Sequence, residues 1–259
     1  VARHGVGYDN VDLDYLNNNG IALAITGTSN AISVAEHVMT MFLNICKMSK
    51  LSDQLVRDGK FMEKSSLPGC FELYKKNILI LGFGRIGKAL AKRCYGFDSK
   101  IYVHDPFTDV SIIKDNNCLP INFEDGLEIA DFVSIHTPLN EKTKNMIAKD
   151  QLMKMKKTCI LVNTARGGII NEQDLFWALT NNKIYGAGID VYEKEPPNND
   201  NPLFKLNNII LSPHSAALTL ECRKRMAIET CENISNYLIN KSKLNIANII
   251  NRKNINLNI

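Results

Sequence analysis

The chain has 259 residues, 45% of them hydrophobic and 22% charged, enough for one large α/β core and part of a second. Its formal net charge of +4 comes from scattered lysines rather than a basic stripe, so we expect no nucleic-acid partner. No apolar stretch approaches the roughly 18 to 20 residues of a membrane span, a secretory leader pattern is missing, and the seven cysteines lack metal-ligand spacing; we expect a cytoplasmic protein without membrane or metal partners.

The N-terminal part contains one long predicted helix. The chain opens on Val1 without an initiator methionine, so we expect it to be the remainder of a longer protein. Apolar residues then recur with helical spacing from Asn30 to Lys50. His37 lies inside this helix, either as a packed polar residue or, less favoured, lining a cleft. Residues 59–68 are polar and predict a surface connection.

From residue 77 onward, short β-branched or apolar runs alternate with helical patterns. This alternation predicts a doubly wound, parallel α/β sheet of the Rossmann type, with ligands at the carboxyl ends of its strands. A second long helix is predicted over residues 219–238. The candidate strands are 78–81, 101–104, 117–119, 132–135, 159–162, 187–190 and 208–211.

A glycine-rich turn follows the first of these strands directly. Gly82, Gly84 and Gly87 have the spacing that lets a pyrophosphate approach main-chain N–H groups at a helix start. Asp105 ends the next predicted strand, where a carboxylate can accept both ribose hydroxyls and would repel a 2′-phosphate. The combination predicts NAD rather than NADP. Taken alone, the glycine pattern would also fit a methyl-donor-dependent transferase.

Three chemically suitable side chains follow three later predicted strands. Arg166 can bind a carboxylate with two parallel hydrogen bonds, and His214 can exchange a proton with a hydroxyl near neutral pH. Glu195 can hold that imidazole in one tautomer. Asp190 is then free to meet the nicotinamide side of the cofactor. We expect the three groups to converge on one cleft, although each also has an ordinary structural interpretation.

Ordered motifs run through nearly the whole chain: Gly5–Asp12, Ser33–His37, Leu81–Gly87, His136–Leu139, Asn163–Gly168, Ala187–Val191, Glu195–Pro196 and Ser212–His214. In these motifs the chain resembles the D-isomer-specific 2-hydroxyacid dehydrogenases, in the branch that contains 3-phosphoglycerate dehydrogenase and hydroxypyruvate or glyoxylate reductases. The resemblance implies an NAD-dependent enzyme that acts as a homodimer, through an arm around the helix at residues 30–50.

The resemblance also implies individual roles. Arg166 would bind the substrate carboxylate, and His214 would be the acid/base with Glu195 as its partner. The implied cofactor contacts are Gly82, Gly84, Arg85, Ile86 and Gly87 at the pyrophosphate, Asp105 at the ribose, Thr137 and Pro138 at the adenine, and Thr164, Ala165 and Asp190 at the nicotinamide half.

Two domains are predicted on this basis. Residues 30–218 would form the NAD-binding Rossmann domain, and residues 1–29 with 219–259 a smaller, flavodoxin-like substrate lobe. That lobe would be short for a domain, so we expect it to be truncated at its N-terminal side. A preparation of these 259 residues should then bind NAD but turn over poorly.

The predicted function is the interconversion of a D-2-hydroxy acid and its 2-keto acid, with 3-phosphoglycerate or hydroxypyruvate/glyoxylate as leading substrates. The alternative is an NAD-sensing, corepressor-like binding protein on the same fold. Retention of Arg166, Glu195 and His214 favours the enzyme.

Overall fold

The computed structural model describes residues 1–257. The chain divides into two compact units, one formed by Val1–Ser33 with the residues from Ala217 onward and one by Val34–Ala216. The two breaks lie four residues after and two residues before those expected from the sequence. Neither unit contains, within residues 1–257, a helix long and apolar enough to cross a membrane.

Nine α-helices and seven strands occur within the described residues. The helices are α1 (Leu13–Asn18), α2 (Ala31–Cys46), α3 (Ser49–Arg57), α4 (Arg85–Cys94), α5 (Val110–Asp115), α6 (Phe123–Ile129), α7 (Lys149–Lys154), α8 (Glu172–Thr180) and α9 (Leu220–Leu238). The strands are β1 (Asn77–Leu81), β2 (Lys100–His104), β3 (Leu119–Pro120), β4 (Phe132–Ile135), β5 (Ile160–Asn163), β6 (Gly186–Ile189) and β7 (Ile209–Leu211).

The seven strands form one sheet in the larger unit. Their order is β3-β2-β1-β4-β5-β6-β7, and every neighbouring pair is parallel. The order reverses between β1 and β4, and sheets of this kind bind ligands at the carboxyl ends of the strands beside such a reversal. The predicted Rossmann-type α/β fold is confirmed.

The core of this unit lies on both faces of the sheet. Side chains alternate along each strand, so Leu79 and Leu81 pack on one face and Ile78 and Ile80 on the other. The first face packs against α6, α7 and α8, and the second against α2, α4 and α5. Because both faces are covered, the strands carry the continuous apolar runs seen in the sequence.

The long helix predicted over residues 30–50 is two helices. α2 ends at Cys46 and α3 begins at Ser49, with Met48 between them in the left-handed region at φ 50°. Prediction of one continuous helix was therefore wrong. The residue at the break is neither glycine nor asparagine, so the sequence gives no local signal for it.

The smaller unit is held together by asparagine side chains. Asn251 accepts a hydrogen bond from the Leu23 amide at 2.9 Å and donates to the Ile21 carbonyl, and Asn233 donates to the Ile25 carbonyl at 3.0 Å. Asn248, Ile249 and Asn251 are buried, so this part of the C-terminal segment is packed. The asparagine-rich sequence of residues 245–259 predicts a frayed chain end, and its last two residues lie outside the described residues.

Candidate active site

The glycine turn brings the start of α4 close to β1. Gly82 has φ 95°, and a Cβ there would lie 2.7 Å from the His136 carbonyl oxygen. A Cβ at Gly87 would lie 2.3 Å from the Gly82 oxygen. Gly84 is the N-cap of α4, and an added Cβ there would meet no atom within 4 Å. The tight turn and the open space at the helix start fit a bound phosphate group, and the predicted Arg85 and Ile86 are the first two residues of α4.

Asp105 follows β2 and is tied to the glycine turn. Its carboxylate accepts hydrogen bonds from the amides of Phe83 at 2.7 Å and Phe107 at 2.9 Å, and from the Thr108 hydroxyl at 3.0 Å. Burial alone would raise the pKa of Asp105, but these three hydrogen bonds outweigh it and hold the pKa below its usual value. The group is thus a carboxylate at neutral pH, beside the turn that would hold a dinucleotide.

Two buried hydroxyls at the carboxyl ends of strands have no hydrogen-bond partner among the described residues. They are Thr137 Oγ1, after β4, and Thr164 Oγ1, after β5. A buried polar group left unpaired costs roughly 1 to 3 kcal/mol, so both hydroxyls need a further hydrogen-bond partner, such as a ligand or an ordered water. Their neighbours are already bonded: Pro138 accepts from Thr143 at 2.6 Å, and the Ala165 amide donates to Asn163 at 3.0 Å.

His136, between β4 and Thr137, is a neutral imidazole. Its Nε2 lies 2.8 Å from the Ser134 hydroxyl, while its Nδ1 is buried without a partner among the residues described. Burial lowers the pKa of His136 to about 3. The imidazole therefore carries no charge near the predicted adenine side of the site.

Arg166 sits in a tightly built loop after β5. Asn163 donates to the Arg166 carbonyl at 2.8 Å, and the Arg166 guanidinium donates to the Ala165 carbonyl at 2.6 Å. A Cβ at the next residue, Gly167, would lie 1.7 Å from the Tyr192 carbonyl oxygen. Only glycine fits there, so the loop carrying Arg166 packs directly on the segment that follows β6.

Glu195 and His214 form a hydrogen-bonded pair. His214 Nδ1 lies 2.7 Å from Glu195 Oε2, and Glu195 Oε1 accepts a hydrogen bond from the Tyr192 amide at 3.1 Å. Because a carboxylate only accepts, Nδ1 carries the proton and Nε2 is left with a lone pair when the ring is neutral. About half of the His214 side chain is exposed (51%), so solvent or a substrate can reach it.

Asp190, which is predicted at the nicotinamide half, has a buried side chain. Its side chain is 1% exposed. One oxygen, Oδ1, accepts from the Ser212 hydroxyl at 2.5 Å and the Ser215 amide at 2.8 Å, and the other accepts from the Ala216 amide at 3.0 Å. The Asp190 carbonyl also accepts from the His214 amide at 2.8 Å. Asp190 thus holds the loop that carries His214.

Sequence reasoning missed two members of this arrangement. Ser212 and Tyr192 had no assigned role, yet Ser212 bonds Asp190 and the Tyr192 amide anchors Glu195. The Tyr192 hydroxyl also donates to the Ser212 carbonyl at 3.1 Å. A signal was present for Ser212, since it precedes Pro213-His214 within a recognised motif.

Residues 39–216 match the family model described as the D-isomer specific 2-hydroxyacid dehydrogenase, NAD binding domain. The chain belongs to this family. The matched NAD-binding domain contains every predicted site residue, from Gly82 to His214. Its cofactor is accordingly NAD.

Individual relatives agree with the family. The chain is 36% identical over 236 residues to the D-3-phosphoglycerate dehydrogenase of Archaeoglobus fulgidus, covering 91% of this chain but only 44% of that protein. It is 37% identical over 239 residues to the hydroxypyruvate reductase of Thermotoga maritima, covering 90% of this chain and 76% of that protein. The structure of the Aquifex aeolicus D-lactate dehydrogenase with NAD and lactic acid aligns with a TM-score of 0.86, at 27% identity, over 96% of this chain and 79% of that one.

Proposed function

We propose that the protein is an NAD-dependent oxidoreductase that interconverts a D-2-hydroxy acid and its 2-keto acid. The observation that carries this proposal is the pairing of His214 with Glu195 at 2.7 Å, at the sheet edge where the glycine turn and Arg166 also lie. An NAD-binding protein that only senses the dinucleotide has no need of an exposed imidazole held by a carboxylate.

The cofactor would be held by residues that already fit it. The open space at Gly84 would take the pyrophosphate, and Asp105 would accept the adenosine ribose hydroxyls. The unpaired hydroxyls of Thr137 and Thr164 would find partners in the bound dinucleotide, with Pro138 and Ala165 beside them. Bound NAD supplies the hydride acceptor in oxidation, and NADH the donor in reduction.

The proton chemistry belongs to His214. In oxidation its Nε2 lone pair takes the proton of the substrate hydroxyl, and in reduction the protonated ring returns a proton to the carbonyl oxygen. Glu195 keeps Nδ1 protonated and the ring oriented, because its second oxygen is fixed by the Tyr192 amide. The Arg166 guanidinium binds the substrate carboxylate, for which its planar geometry suits two parallel hydrogen bonds.

The leading substrates are 3-phosphoglycerate and hydroxypyruvate or glyoxylate. The names of the phosphoglycerate dehydrogenase and hydroxypyruvate reductase relatives support them. The test uses the protein as the cell makes it, because the chain spans only 44% of the first of these relatives. NADH oxidation is followed with 3-phosphohydroxypyruvate, hydroxypyruvate and glyoxylate. Oxidation with one of them supports the proposal; NADH binding without oxidation by any of them supports the sensing protein instead.

We also propose that the protein is a homodimer of the cytoplasm. The family resemblance assigns dimerisation to an arm around the helix at residues 30–50. The segment that follows this helix exposes the apolar side chains of Val56, Phe61 and Met62. All seven cysteines lie within residues 1–257 and are free thiols, which suits a reducing compartment. Light scattering coupled to size exclusion should give twice the chain mass, and Phe61→Glu should shift it to the monomer; an unshifted mass would contradict the arm assignment.

A further inference from the structure

His37, on α2, reaches the group of residues that holds the His214 loop. Its Nε2 lies 2.9 Å from the Ser212 hydroxyl oxygen and 3.7 Å from Asp190 Oδ1. The His37 side chain is 23% exposed, whereas that of Asp190 is 1% exposed. His37 therefore links α2, through the Ser212 hydroxyl, to the buried carboxylate of Asp190.

The direction of these hydrogen bonds follows from the chemistry of the groups. The Asp190 oxygens accept the amides of Ser215 and Ala216, as expected for a carboxylate, so Ser212 must donate its single hydroxyl proton to Oδ1. The Ser212 oxygen can then only accept from His37, whose Nε2 must carry a proton. The chain of donors runs from His37 through Ser212 to Asp190.

That chain ends on the main chain that carries His214. His214 has φ 52°, in the left-handed region, which is uncommon for a non-glycine residue. The holding contacts are the Asp190 carbonyl, which accepts from the His214 amide at 2.8 Å, and the Asp190 carboxylate, which accepts from the amides of Ser215 and Ala216. A shift of Asp190 would move the imidazole.

We propose that His37 is a positioning residue that acts through Ser212 and Asp190 to fix the loop of His214. The proposal rests on the acid/base role proposed for His214. Without the His37 N–H, the Ser212 hydroxyl can turn away from Asp190 to find another partner, and the carboxylate loses one of its hydrogen bonds. A displacement of about 1 Å at a reacting group can cost roughly a hundredfold in rate.

Three variants separate positioning from general support of the fold. His37→Leu removes the donor, His37→Gln keeps an N–H at nearly the same distance along the side chain, and Thr40→Val is the matched control on the same helix. The Thr40 hydroxyl is exposed and bonds only the Glu36 carbonyl in the described structure. Ser212→Ala breaks the same chain at its next link and serves if His37→Leu does not fold.

The expected result is a fall in kcat of roughly ten- to hundredfold for His37→Leu and Ser212→Ala, with the Kd for NADH changed less than about threefold. His37→Gln should keep most of the wild-type kcat, and Thr40→Val all of it. The double variant His37→Leu/Ser212→Ala should be no slower than the slower single variant, because both remove the same chain. Equal kcat values for His37→Leu and Thr40→Val, or a loss that His37→Gln fails to restore, would overturn the proposal.

Hydrogen exchange supplies a readout that does not depend on turnover. The amides of Ser215 and Ala216 should exchange faster in His37→Leu than in wild type or Thr40→Val, while amides of β1 remain unchanged. Unaltered exchange at both positions would overturn the proposal. Faster exchange in a protein that oxidises no NADH would contradict the proposed function and leave the positioning role supported.

Discussion

The imidazole of His214 and the carboxylate of Glu195 are joined through Nδ1 and Oε2 at 2.7 Å, and the other Glu195 oxygen is fixed by the Tyr192 amide. The two residues come from loops after neighbouring parallel strands, β6 and β7. The His214 loop is in turn tied to Asp190, at the end of β6. Both partners are thus held by the segment that directly follows β6, and the lone pair of Nε2 is left for a substrate.

Replacing Glu195 by glutamine should lower kcat without weakening cofactor binding. Glutamine keeps the size of the side chain but removes the charge that stabilises a protonated ring, so we expect a loss of roughly ten- to hundredfold. Glu193→Gln is the matched control, because Glu193 instead accepts from the Glu172 amide at 2.9 Å. Steady-state kinetics and NADH titration check both variants. A Glu193→Gln variant as slow as Glu195→Gln would argue against a specific pair.

Replacing Arg166 by lysine should raise the KM for the keto acid. Lysine keeps the charge but cannot make two parallel hydrogen bonds to a carboxylate, so an increase of about tenfold or more is expected. The KM for NADH should change little. Arg93→Lys is the control, since Arg93 pairs with Glu36 on the surface at 2.8 Å. If the keto-acid KM were unchanged in Arg166→Lys, the carboxylate would be bound elsewhere.

The location of the candidate site residues could be predicted from the sequence, because parallel strands place their carboxyl ends at one edge of the sheet. That rule predicts Arg166, Glu195 and His214 at one edge of the sheet, and the structure pairs Glu195 with His214 at 2.7 Å. The third strand is predicted at residues 117–119, whereas β3 is Leu119–Pro120 in the structure. It pairs with β2 at only two positions, and so short a strand leaves little pattern in the sequence.

The interior hydrogen bonds could not be predicted in this way. His37 and Ser212 are 175 residues apart, and although both lie in motifs, no pattern in the sequence pairs one with the other. Asp190 was expected to face the cofactor because it ends a strand at the right edge. Its carboxylate also accepts hydrogen bonds from the Ser212 hydroxyl and from the Ser215 and Ala216 amides of the His214 loop, which the sequence does not predict. Hydrogen bonds between residues far apart in the chain depend on tertiary packing, which the periodicity of the sequence does not reveal.

Replacing Asp105 by serine should shift cofactor preference toward NADP. The carboxylate would repel a 2′-phosphate, so its removal should raise the ratio of kcat/KM for NADPH to that for NADH by about tenfold or more. Affinity for NADH should fall as well, because the Phe83 amide loses a charged acceptor. Asp109→Ser, four residues further on, should leave the ratio unchanged. An unchanged ratio in Asp105→Ser would mean that another residue meets the ribose.

His136 should make the fold sensitive to mild acid. Its pKa is about 3 in the folded protein against 6.5 for the ordinary value, so the unfolded state binds the extra proton as the pH falls below 6.5. Between pH 7 and pH 5 this should cost about 2 kcal/mol of unfolding free energy. His136→Gln lacks the titrating group, so its free energy of unfolding should fall by about 2 kcal/mol less between pH 7 and pH 5. Urea unfolding at both pH values checks this; equal acid sensitivity of the two proteins would show that the imidazole is not held neutral.

The central claim is that His214 moves the proton in a dehydrogenase reaction, and the most direct measurement compares wild type with His214→Ala. NADH oxidation by a keto acid and the Kd for NADH are measured on both proteins. We predict that His214→Ala lowers kcat by roughly 10² to 10⁴, as for the loss of a general acid/base, while the Kd stays within about threefold. Turnover that survives the substitution unchanged would contradict the account.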